Sequence, residues 1–146
     1  MRIPGKLFWT SLPLIAGLVV PSLILIAVET IAGRIPFGAA LTDVWSQQFA
    51  DGENVFLLSA IGLIPFALLS IFSFFAARWL SPRRLACVAL GGLLGILLYM
   101  VPAHATIWYP LCAGGHISST AAITFLFIPF YCVPALAVGL LVGWIV

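Results

Sequence analysis

The sequence predicts an all-α chain, a polytopic membrane protein folded as a four-transmembrane-helix bundle, N-in and C-in, with a longer outer loop between helices 1 and 2. Four long apolar stretches separated by polar breaks make up well over half of the 146 residues. Crossing a hydrocarbon core of about 30 Å takes about 20 mostly apolar residues. The composition is 64% hydrophobic and 7% charged, against about 25% charged in an average soluble domain. A water-soluble domain of this size buries only about 60–70% of the surface its chain exposes, too little to hide so much apolar side chain. The stretches and their connections use up the chain, so one transmembrane domain over residues 1–146 is expected, with no soluble appendage.

The first expected span is Phe8–Val28. Phe8 and Trp9 suit a headgroup region where an aromatic ring is half wet. Pro13 and Pro21 each remove a backbone donor and crowd the preceding turn, so a kinked helix is expected. The carbonyls they free need another partner in lipid, for which Thr10, Ser11 and Ser22 are available. A cleaved secretory signal has an apolar core of about 7–15 residues and small residues before the cut. The run here is longer and Thr30-Ile-Ala32 fits that pattern poorly, so the stretch reads as a retained anchor.

Glu29 closes the first span, and Thr30–Asn54 is too long for a simple turn. Leu41, Val44, Trp45 and Phe49 recur at three- and four-residue spacing, compatible with a short helix over Ala39–Phe49 lying in the interface. Asp51-Gly-Glu-Asn54 reads as a turn and cap for the second span, Val55–Ala77, which has Pro65 near its middle. Ser81-Pro82 is a start signal for the third span, Leu85–Val101, with serine as cap and proline in the first turn. Pro102–Thr120 is expected to be an outer segment. The last span is Ala121–Val146, carrying Pro129 and Pro134.

Basic residues near span ends stay on the cytoplasmic side. Arg2 and Lys6 precede the first span, while Arg78, Arg83 and Arg84 flank the hairpin between the second and third and serve as its cytoplasmic anchor. Arg34 alone lies in the other two loops, so four spans place five of six basic residues on one side. All four acidic residues, Glu29, Asp43, Asp51 and Glu53, then face outward with His104 and His116. A multi-pass protein of a bacterial inner (plasma) membrane fits this arrangement. The net charge of +2, with no basic patch interleaved with aromatics, gives no basis for nucleic-acid binding.

Gly91 and Gly95, and Ala135, Gly139 and Gly143, form small-residue faces that let helix backbones approach closely. Their plainer role is to close the bundle; the alternative is to dock a partner or a second copy. His104, Cys112 and His116 are metal- or haem-ligand types, with Cys112 and His116 four apart. Gly114-Gly115 between them argues against a helix there, and two loop histidines are more commonly ordinary interface residues. Cys87, Cys112 and Cys132 are expected at different depths, so no disulfide is expected. Glu29, with Asp51 and Glu53, is a candidate ion- or proton-binding group, against the plainer reading of hydration or pairing with Arg34. Ser118 and Ser119 beside His116 lack an acid to complete a hydrolytic set. No catalytic residue and no cofactor is assigned, and enzyme activity is not expected.

The expected role is a non-catalytic subunit or accessory component of a larger membrane assembly, contacting the lipid bilayer and another membrane protein or further copies of itself. A small solute or ion transporter or channel acting as a homo-oligomer is the alternative. An outward-facing metal or haem site is the third.

Overall fold

The computed structural model describes residues 5–49, 60–114 and 119–146. They form α1 (Lys6–Ile31), α2 (Phe37–Phe49), α3 (Ile64–Ala76), α4 (Pro82–Cys112) and α5 (Ser119–Ile145). No strand occurs among the described residues. Three stretches are long and apolar enough to cross a membrane, Lys6–Ile31, Pro82–Pro110 and Ile123–Ile145, and a shorter apolar stretch runs over Ala60–Ala76. The chain thus has the build of a small multi-pass integral membrane protein.

The helix α1 passes through Pro13 and Pro21 without ending. The expected local hydroxyls take other acceptors: Thr10 Oγ1 and Ser11 Oγ donate to the Leu7 carbonyl at 2.8 and 3.0 Å. The hydroxyl that reaches the proline turn comes from α3 instead, where Ser70 donates to the Thr10 carbonyl. The two helices run antiparallel, with Lys6 Nζ donating to the Ala77 carbonyl at 2.6 Å at one end. Gly17 makes room for Phe66 in their middle, since a Cβ there would lie 2.8 Å from that of Phe66. Pro65 falls in the first turn of α3, where the helix restarts at Ile64 after a turn at Leu63. A ring with fixed φ and no donor fits that first turn.

The third span extends well past its expected end at Val101. α4 has 31 residues and includes Pro102 and Pro110, so His104, Trp108, Tyr109 and Cys112 lie on a helix and not in an outer loop. Proline ends helices in water, but inside a bundle neighbouring helices and hydroxyls meet the freed groups. The helix closes where Ala113 N donates to Tyr109 O at 3.0 Å and Gly114 takes φ +84°, a left-handed position that glycine occupies without steric cost.

α4 and α5 make the closest helix pair. A Cβ built at Gly91 or Gly139 would collide with the carbonyl of the other, one at Gly95 with Ala135, and one at Gly143 with Cys87. The central core joins Ile24 and Val28 of α1, Phe66 and Leu69 of α3, Ile96 and Met100 of α4, and Ile128 and Cys132 of α5. A second cluster around Trp9, Leu85 and Val88 fills the end that carries Lys6, Arg78, Arg83 and Arg84, the basic end. α2 folds back over the opposite, acidic end through Ala40 and Val44, packed with Leu25 and Ile26. Large apolar side chains nevertheless face outward on every long helix: Leu18 is 68% exposed, Ile71 55%, Leu98 77% and Val138 61%. Such a surface is stable only where hydrocarbon covers it.

Candidate functional site

Among the described residues, buried polar atoms without a hydrogen-bond partner are Glu29 Oε2 and His104 Nε2 toward the acidic end and Trp9 Nε1 and Ser73 Oγ toward the basic end. Of these, Glu29 lies near other titratable groups. Glu29 lies two residues before the end of α1, where the sequence places it at a wet rim. The turn after α1 and the α2 helix fold back over it, however, leaving it 5% exposed with Oε2 lacking any hydrogen-bond partner. The expected pairing with Arg34 does not satisfy that oxygen. Arg34 itself closes the turn after α1 with φ 54°, near the Ile35 N to Glu29 O hydrogen bond of 3.4 Å.

Asp43 on α2 lies near enough for its charge to act on Glu29, and both carboxylates act on the thiol of Cys112. Cys112 sits just beyond Pro110, where the apolar stretch of α4 ends. Burial pushes its thiol above the ordinary value, and the charges of Glu29 and Asp43 push it the same way. Asp43 enters this group through α2: Ala40 and Val44, four apart, face α1, and Asp43 is the neighbour of Val44. That three/four spacing is the signal that could have placed it in the group.

His104 is 8% exposed, its Nε2 without a hydrogen-bond partner. Its ring stands edge-on to Phe125 of α5 at 5.5 Å, and Trp108 one turn further meets the same phenyl at 4.9 Å. His104 and Cys112 are eight residues apart on one helix, about 12 Å of axial rise, so they do not converge on one ion. Among the described residues no group of three His, Cys, Asp or Glu side chains is placed to hold a metal. His116, Asp51 and Glu53, the remaining members of the two expected groups, lie outside the described residues. Cys87, Cys112 and Cys132 are all free thiols.

At the basic end, Arg78 lies over the rings of Phe74 and Phe75 at 5.8 and 5.4 Å. Arg83 and Arg84 start α4, where Ser81 Oγ accepts from Arg84 N at 3.4 Å. No family model matches the chain, and neither a curated protein nor a solved structure matches it.

Proposed function

We propose that the chain is a non-catalytic component of a bacterial inner-membrane assembly, crossing the bilayer four times with both ends on the cytoplasmic side. The observation that carries the reading is the outward apolar surface on every long helix beside very little polar mass. The crossing number draws support from the contact of Lys6 with Ala77. The end of α3 lies beside the start of α1, as it would if each of the two helices crosses once. Solubilised in mild detergent, the tagged protein is expected to bring down another membrane protein in fixed proportion. Isolation as a monomer with no companion overturns the reading.

A second reading rests on Glu29. A buried carboxylate with an unmet oxygen is costly unless it carries a proton or takes a cation, and ionisable groups in membrane helices commonly serve ion or proton pathways. On this reading Glu29 and its neighbour Asp43 form a proton or cation site in a small homo-oligomeric transporter. Flux into liposomes should then fall at least about tenfold in Glu29→Gln, the loss of one transition of about 1.4 kcal/mol. Equal flux in the variant removes the second reading and leaves the first untouched.

A further inference from the structure

The seam between α1 and α3 opens into a groove at the basic end, and its chemistry changes along its length. Its upper part, about 290 Å³, is lined by Lys6, Leu7, Thr10, Phe74, Ala77 and Arg78. Its lower part, about 460 Å³, shares Thr10 and Phe74 with the upper and continues past Leu14, Ile71 and Phe75. The lower part also borders Thr10, Ser11 and Ser70, but these hydroxyls are engaged: the first two donate to Leu7 O and the third to Thr10 O. What remains is a channel with apolar walls and two cations at its mouth.

Both cations keep donors to spare. Lys6 uses one of the three ammonium hydrogens on Ala77 O. The Arg78 guanidinium carbon lies over the rings of Phe74 and Phe75, a cation–π contact that leaves N–H donors of the planar fork for a phosphate. Among the described residues the side-chain carboxylates lie at the other end: Glu29 is 23 residues further along α1, about 35 Å of helix rise, and Asp43 is on α2, which packs beside it.

We propose that this groove holds one anionic phospholipid, its phosphate between Lys6 and Arg78 and an acyl chain along Leu14, Ile71 and Phe75. The proposal rests on the reading of the chain as membrane-embedded. Charge complementarity selects this occupant. A zwitterionic headgroup would bring a cation to a site already holding two, with Arg78 on the aromatic rings a quaternary amine would need. A second copy of the chain would bring the same pair of cations to the same place.

Native mass spectrometry and thermal unfolding of the full chain in neutral detergent test it, with dioleoyl phosphatidylglycerol against dioleoyl phosphatidylcholine as probes. Phosphatidylglycerol should bind about 10- to 30-fold more tightly, from two basic contacts, and raise the unfolding temperature. Lys6→Gln with Arg78→Gln should abolish the preference. Ile71→Trp, on a lipid-facing position, should fill the channel and weaken binding with both charges intact. Arg83→Gln with Arg84→Gln should leave binding as it was. Equal binding of the two lipids overturns the proposal, as does an equal loss in the Arg83/Arg84 variant. Glycerol 3-phosphate competing as well as the lipid also overturns it, because the acyl groove would then contribute nothing. Retention of the protein in membranes after an alkaline carbonate wash separates the cases: release by the wash removes the embedded reading, whereas retention without lipid preference removes only the lipid site.

Discussion

The thiol of Cys112 is the group at the acidic end whose chemistry is simplest to follow. Burial disfavours its thiolate, and the carboxylates of Glu29 and Asp43 disfavour it further. Only the thiolate attacks a maleimide, so its reaction should gain speed with pH through a midpoint above that of an ordinary thiol. A chain carrying Cys87→Ala and Cys132→Ala isolates the signal. Adding Glu29→Gln and Asp43→Asn should then bring the midpoint down, because two negative charges have gone and burial remains. An unchanged midpoint would mean that the carboxylates stand too far off, or carry no charge, to matter to Cys112. The electrostatic influence of Glu29 and Asp43 on Cys112 was not readable from spacing alone: it arises because α2 doubles back and α4 outruns its expected length.

Elements differ in how plainly the sequence announces them. α1 and α5 are legible because apolar runs of bilayer length admit few other states, and α2 because Val44 and its neighbours recur with helical spacing. Ser81-Pro82 marks the start of α4 correctly, while Pro102, a residue that breaks helices in water, lies inside the helix and does not mark its end. The better stop signal was Gly114, the residue that adopts positive φ. The restart of α3 at Ile64 had a proline signal too, in Pro65, but an apolar run on both sides masks a break. Packing of α4 on α5 sets a sharp condition on side-chain size. Gly139→Leu places a branched side chain against the Gly91 carbonyl, where even a Cβ has no room. It should cost about 1–3 kcal/mol as overpacking, or more if the helices separate. Gly38→Leu makes the control, since open space surrounds that position. Thermal unfolding in detergent reads the difference, and equal midpoints for the two variants would remove the close α4–α5 contact from the account.

Among the described residues Lys6, Arg78, Arg83 and Arg84 lie at one end, and Glu29 and Asp43 at the other together with the single cation Arg34. That sorting was legible from composition along the chain, and it bears on how many helices cross. α3 has only 13 residues, and its apolar stretch of 17 from Ala60 rises about 26 Å, slightly short of the hydrocarbon thickness. The apolar sequence continues back to Val55. Two arrangements then make opposite forecasts. With four spans, Ser81 and Ser46 lie on opposite faces of the membrane; with α3 failing to cross, both lie on the same face. In a background lacking the native cysteines, Ser46→Cys should react with a membrane-impermeant maleimide on intact cells, and Ser81→Cys only after permeabilisation. Reaction of both from outside would leave three spans. Reaction of Ser81→Cys alone would keep four spans but turn the protein over, against the rule that basic residues remain in the cytoplasm. The same pair of variants therefore tests the crossing number through agreement between sites and the orientation through which site reacts.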